Sequence, residues 1–139
     1  APALIPDDYL PDVHMRLMIY KRIANATTHD QLRELSVELI DRFGLLPEPT
    51  KLLIRQTELK ITAERLGIRR IDLGENGGHI EFKSDTRVPA TKIIALIQTS
   101  PDRFKMASAH QLGILDRIAD RTERFGYVEA FLGELAEAA

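Results

Sequence analysis

The clearest chemical pattern in this sequence is a ridge of carboxylates, in which Glu34, Glu38 and Asp41 are spaced four and three residues apart. That spacing places them on one face of a helix. Catalytic carboxyl groups need a pocket that pushes their pKa values apart, and no feature of the sequence implies one. Val37 lies within the ridge, where a fully solvated face has no need of an apolar side chain. Two interpretations stay open on these residues alone: a docking face for another protein surface, or an ordinary solvated helix face.

No pattern for a metal or a phosphate group accompanies the ridge. None of the four histidines stands at metal-binding spacing from another: His14, His29, His79 and His110. The glycine cluster Gly74–Gly78 leads into a strand-like segment and lacks the lysine of a phosphate-binding loop. We interpret it as a hairpin turn. We therefore predict no metal site, no cofactor site and no catalytic residue, and no nucleotide hydrolysis by this chain on its own.

Composition predicts a globular domain of a soluble, cytoplasmic protein. The 139 residues are 44% hydrophobic and 29% charged, which is enough to bury a core without metals or disulfides. The absence of cysteine excludes a disulfide framework, thiolate metal sites and a cysteine nucleophile. No run of about eighteen apolar residues occurs, and the first residues lack the order of a signal peptide. We therefore expect no membrane partner.

The charge balance disfavours direct binding of nucleic acid. The formal net charge is −2, with 11 Lys/Arg against 10 Asp/Glu in residues 1–70 and 8 against 11 in residues 71–139. Nucleic-acid modules usually carry a basic surplus on at least one segment, because neutralised phosphates supply most of their affinity. Residues 1–70 carry a surplus of only one basic residue, and residues 71–139 carry an acidic surplus.

Periodicity and capping signals predict an α+β fold with helices around a small antiparallel sheet, in the order ααα-ββ-α-ββ-α. Residues 1–11 are predicted as an extended lead-in from an upstream domain, and residues 12–139 as a single α+β domain. The predicted elements are helices at 12–26, 28–43 and 47–66, strands at 68–73 and 78–82, a helix from 89, strands at 103–107 and 112–115, and a last helix from about 116.

Apolar spacing also predicts which faces are buried. For the first helix we expect Val13, Leu17, Tyr20 and Ala24 on one face, with a wider apolar surface added by Met15, Met18, Ile19 and Ile23. For the second helix we expect a buried stripe of Leu35, Leu39, Ile40 and Phe43. Thr28 and Gln31 form a capping box that begins the second helix, and Gly44 ends it. This pattern turns the carboxylate ridge outward.

Three segments of the sequence, in order, resemble one protein family. They are IPDDYLPDVHMRLMIYKRIANA, LSVELIDRFGLLP and AERLGIRRIDLGENGGHIEF. The family is the bacterial transcription-repair coupling factor (Mfd) family, and the resemblance is to its C-terminal domain. The likeness covers almost the whole chain and is looser from about residue 101 onward.

The resemblance implies a function for the full-length family member. That protein is an ATP-driven DNA translocase, with ATP and Mg in its motor domains, which removes stalled RNA polymerase from damaged DNA and recruits UvrA through a UvrB-like module. The C-terminal domain carries neither the motor nor the polymerase contact. In the resting protein it docks on the UvrB-like module and masks the surface that UvrA uses.

The resemblance also adds a residue to the docking face. The contact region of the family corresponds to the VELIDRFG segment, which gives Glu38, Asp41 and Arg42 as the best candidates. The predicted protein interface is therefore Glu34, Val37, Glu38, Asp41 and Arg42.

Other functions remain as alternatives. The chain could be a scaffold that contacts DNA or a repair protein through Arg69 and Arg70 or through the last helix, or a purely structural cap on the translocase. An enzyme is the least supported alternative.

Overall fold

The computed structural model describes residues 3–139 and confirms the predicted α+β fold and element order. Neighbouring strands are antiparallel, and the sheet order is β1-β2-β4-β3. The elements are α1 (Val13–Asn25), α2 (His29–Phe43), α3 (Glu48–Leu66), β1 (Ile68–Gly74), β2 (Gly77–Phe82), α4 (Ala90–Thr99), β3 (Phe104–Ser108), β4 (Gln111–Ile114) and α5 (Arg121–Ala138).

The chain divides into two compact units, with the boundary inside α3. Unit 1 ends at Ile61, and unit 2 runs from Thr62 to Ala139. The single domain predicted from residue 12 onward stays a prediction, and each unit is described by itself below.

Unit 1 is built from helices that bury one face each. The cap of α1 is the Asp12 carboxylate, which accepts a hydrogen bond from the Met15 backbone N–H. One cluster of buried apolar residues joins the helices of this unit: Ile5, Leu10, Ile19, Ile23, Leu32, Leu35, Leu39, Ile54 and Ile61. Such burial supplies most of the stability of a helical unit.

The segment before α1 belongs to this core. Ile5 and Leu10 are buried, and the Leu4 N–H donates to the Pro49 carbonyl at 3.2 Å. Ala1 and Pro2 of the predicted lead-in lie outside the described residues. That the segment leads from an upstream domain stays a prediction.

The predicted stripe of α1 is wrong for Val13, Leu17 and Ala24, which are exposed, whereas Tyr20 packs against the core as expected. Val13 and Leu17 are 56% and 55% exposed, whereas Ile19 and Ile23 are buried. This helix carries apolar residues around most of its circumference, so periodicity does not select one face. In α2 the prediction is correct for Leu35 and Leu39 and wrong for Ile40, which is 40% exposed.

Unit 2 contains the four-stranded sheet with α4 and α5. Gly74 pairs with Gly77 at the β1–β2 hairpin, which confirms the predicted turn. Phe104 of β3 stacks on Phe131 of α5, with ring centroids 5.4 Å apart. The α5 helix begins at Arg121 rather than near Asp116. The Asp116 carboxylate instead accepts hydrogen bonds from Arg103 and Tyr127, and Asp120 caps the helix.

Candidate protein-docking surface

The α2 helix has a fixed start. The Thr28 hydroxyl accepts a hydrogen bond from the Gln31 N–H at 3.1 Å, and the Gln31 side chain accepts one from the Thr28 N–H at 3.4 Å. This reciprocal pair is the predicted capping box. Because Leu32, Leu35 and Leu39 are buried on the inner side, the opposite side of the helix must face outward.

The end of α2 is held as firmly as its start. Gly44 has φ of +93°, a left-handed conformation that favours glycine, and its N–H donates to the Ile40 carbonyl. The Tyr9 hydroxyl lies 2.8 Å from the Gly44 carbonyl and 3.2 Å from the Leu39 carbonyl. Burial raises the pKa of Tyr9, so the hydroxyl stays protonated and remains a donor at neutral pH.

All five predicted interface residues lie on the outer side of this helix. Glu34, Val37, Asp41 and Arg42 are exposed, with Val37 at 54%, and Glu38 is half-buried. Their spacing of three and four residues gathers them into one stripe. That another protein binds this stripe stays a prediction.

Glu38 already has a partner within the unit. Its Oε2 accepts a hydrogen bond from Arg22 Nη1 of α1 at 2.7 Å. Arg42 also contacts α1, because its Nη2 lies 3.6 Å from Met15 Sδ. Sequence reasoning missed Arg22, since sixteen residues separate it from Glu38 and no local pattern joins them.

Unlike Glu38, the carboxylates of Glu34 and Asp41 have no ion-pair partner within the described residues. Among residues 3–139 neither side chain forms a hydrogen bond or an ion pair, so both carboxylates are open to a cationic partner. Between α1 and α2, Glu34 also lines a groove of about 370 Å³ together with Lys21, Arg22, Asn25, Ala26, Gln31 and Leu35. The outer face of unit 1 therefore combines open carboxylates with an exposed apolar residue.

The hairpin arginines are less suited to binding DNA than the sequence suggested. Arg70 Nε lies 2.7 Å from Asp72 Oδ2, and His79 Nε2 lies 3.5 Å from the same oxygen. The Asp72 carboxylate thus offsets the charge of Arg70, while Arg69 is exposed. A basic surface needs unpaired cations to neutralise phosphates.

Two further features, clusters of metal-ligating side chains and membrane-spanning helices, are absent from the described residues. Within residues 3–139, no group of three or more His, Cys, Asp or Glu side chains is placed to hold a metal ion. No helix in that range is long and apolar enough to cross a membrane.

Comparison with known sequences identifies relatives of this chain. A family model described as the TRCF domain matches residues 1–93, two thirds of the chain. The transcription-repair-coupling factor of Escherichia coli (strain K12) is 42% identical over 138 residues, which cover 99% of this chain and 12% of that protein. The homologous factor of Haemophilus influenzae is 46% identical over 135 residues, covering 97% of this chain and 12% of that protein. The chain thus spans about an eighth of the length of these relatives.

Comparison with solved structures confirms the fold. The crystal structure of a C-terminal domain of transcription-repair coupling factor superposes with a TM-score of 0.75. The match covers 99% of this chain and 89% of that one, at 23% sequence identity. At that identity the likeness establishes the fold alone.

Proposed function

The chain belongs to the family of bacterial transcription-repair coupling factors, and from this premise we propose that it is a non-catalytic regulatory domain. It docks on the UvrB-like module of the same full-length protein and masks the surface that UvrA binds. The ATP- and Mg-dependent motor, the DNA contacts and the RNA polymerase contact belong to other domains of that cytoplasmic protein. The domain acts as an autoinhibitory clasp.

The observation that carries this proposal is the pair of open carboxylates on a rigid helix. Glu34 and Asp41 flank the exposed Val37, and neither carboxylate has a partner in the described part of the chain. The UvrA-facing surface of the UvrB-like module is expected to present arginines. Charge pairs at such an interface set register and specificity more than raw affinity.

A clasp of this kind must be openable. A ligand shifts an equilibrium between closed and open states only by its difference in affinity for the two states, which is typically about 1–3 kcal/mol for allosteric coupling. A small, charged and partly apolar stripe on one helix suits that requirement better than a large apolar interface would. The tether in the intact protein supplies a high effective concentration, so weak binding suffices.

The test is calorimetry with the 139-residue chain and the separately expressed UvrB-like module of the same protein. We expect micromolar or weaker binding that UvrA abolishes by competition. Asp41→Arg should weaken the binding, whereas Arg121→Glu, an exposed charge reversal at the start of α5, should leave it unchanged. Absence of binding by a chain shown to be folded would contradict the clasp and favour a purely structural cap.

A further inference from the structure

Met18 is an exposed apolar residue beside the acidic stripe. It is 64% exposed and lies on α1 three residues after Met15 and four before Arg22. Residues at this spacing share one side of a helix. Met15 contacts Arg42, and Arg22 pairs with Glu38. Met18 therefore lies, along α1, between two residues whose side chains contact α2, on the outer side of the junction between the two helices.

The acidic residues of the stripe on α2 thus lie between two apolar residues, Met18 of α1 on one side and Val37 of α2 on the other. Glu38 and Arg42 are the residues of the stripe whose side chains contact α1, so Met18 borders the stripe on the α1 side. Val37 precedes Glu38 by one position and turns about 100° away from it around the helix, which places Val37 on the far side. The open carboxylates of Glu34 and Asp41 lie between these two apolar side chains.

We infer that the docking surface spans both helices and that Met18 is its second apolar anchor. This inference rests on the proposed function and extends it to residues of α1. The occupant is a protein surface that presents a cationic group to Glu34 and Asp41 and an apolar contact on each side of it. Charge complementarity selects that occupant, because the Arg22 charge is already offset by Glu38 and the two carboxylates of Glu34 and Asp41 outweigh the one cation of Arg42.

Physical reasons favour a contact by Met18. Binding energy concentrates in a few side chains that a surround of weaker contacts shields from water. Methionine is unbranched and adapts its shape to a partner. Arg22 lies one turn after Met18 on the same side of α1 and pairs with Glu38, so a partner that covers this pair also removes Met18 from water. Because the Met18 side chain is 64% exposed, packing within unit 1 does not require an apolar residue at this position.

The chain supplies a matched control in the adjacent residue. Leu17 is also apolar, lies on the same helix and is 55% exposed, close to the exposure of Met18. One position along a helix turns a side chain by about 100°, so Leu17 faces away from the junction with α2. Truncation of either side chain removes a similar exposed area and has a similar small effect on folding.

The experiment compares Met18→Ala, Leu17→Ala and Asp41→Arg in calorimetric titration against the UvrB-like module, with thermal unfolding as a check that each variant folds. We expect Met18→Ala to weaken binding by roughly five-fold or more, as truncation of an anchor does. Leu17→Ala should stay within about two-fold of the unsubstituted chain.

The outcomes separate this inference from the function on which it rests. If Asp41→Arg weakens binding but Met18→Ala does not, the clasp stands and the α1 anchor is refuted. Equal weakening by Met18→Ala and Leu17→Ala would also overturn the assignment, because the effect would then belong to α1 as a whole. If the unsubstituted chain does not bind the module, or Asp41→Arg leaves binding intact, the proposed use of α2 fails and the inference fails with it.

Discussion

Arg22 of α1 and Glu38 of α2 form an ion pair, with Nη1 and Oε2 2.7 Å apart. Both side chains are about half exposed, and pairs of that kind typically stabilise a fold by about 0–1 kcal/mol. Glu38 therefore belongs to the internal structure of unit 1 as well as to the proposed docking stripe. Asp41 lies one turn further on and has no such internal partner among residues 3–139.

Because only Glu38 has an internal partner, Asp41→Arg and Glu38→Arg should differ in their effect on the free energy of unfolding. Asp41→Arg should change the free energy of unfolding by less than about 0.5 kcal/mol, as surface substitutions usually do. Glu38→Arg should cost up to about 1 kcal/mol more, because it breaks the ion pair and places two arginines together. Urea unfolding measures both values, and Glu38→Gln is the control that removes the charge without reversing it. Equal stability losses for the two reversals would contradict a structural role for the pair.

The inward face of α2 is tested by truncating two of its apolar residues that differ in burial, Leu32 and Ile40. Leu32→Ala should destabilise the chain by about 2–5 kcal/mol, because this side chain is fully buried in the unit 1 core. Ile40→Ala should cost less than about 1 kcal/mol, since Ile40 is partly exposed to solvent. Thermal unfolding measures both losses of stability. A larger loss for Ile40→Ala than for Leu32→Ala would contradict the inward face described for α2.

Gly67, between α3 and β1, is predicted to resist substitution. It has φ of +74°, and a Cβ atom added there would lie 2.7 Å from Thr86 Cα, a backbone atom that cannot easily move. Gly67→Ala should therefore destabilise the chain by about 1–3 kcal/mol or more.

A second glycine provides the control. Gly133 lies within α5, and a Cβ atom added there would meet nothing within 4 Å. Gly133→Ala should stabilise the chain by about 0.5–1 kcal/mol, because alanine restricts the unfolded chain and favours the helix. Thermal unfolding should thus move in opposite directions for the two variants. A stable Gly67→Ala variant would show that the α3–β1 junction tolerates a side chain.

The hydroxyl of Tyr127 links unit 2 stability to alkaline pH. Burial and a hydrogen bond to Asp116 raise the pKa of Tyr127 above its ordinary value of 10.0, although Arg103 acts in the opposite sense. The folded state thus holds the proton more tightly than the unfolded state does. The stability contributed by this group is fully present below pH 10.0 and is lost as the pH rises through the raised pKa.

Replacement of this tyrosine tests that linkage. Tyr127→Phe should cost about 1 kcal/mol at neutral pH, because it removes the hydrogen bond to Asp116. It should also make the loss of stability above pH 10.0 less steep. Denaturant unfolding at several pH values measures both effects. An unchanged alkaline slope in the variant would assign the pH dependence to another group, such as Tyr9, whose pKa is also raised by burial.

Features that depend on neighbouring residues could be predicted from the sequence. The capping box of Thr28 and Gln31, the glycine stop at Gly44 and the hairpin at Gly74–Gly77 are all present as expected. Each depends on hydrogen bonds or on a backbone conformation within a few residues, so the types and spacing of the residues suffice. The outward direction of the stripe of α2 follows in the same way, because a single strong row of leucines marks the inner face.

Tertiary structure decided the features that join distant residues. The sequence of α1 is apolar on most sides, and only packing within unit 1 selected Ile19 and Ile23 for burial and left Val13, Leu17 and Met18 exposed. Asp116 does not begin the last helix, and its carboxylate accepts hydrogen bonds from Arg103 and Tyr127, which lie thirteen and eleven residues away in the chain. The pair of Arg22 and Glu38 likewise exists only because α1 and α2 lie side by side. Such contacts depend on how helices pack and not on local spacing, and that is why they required the folded molecule.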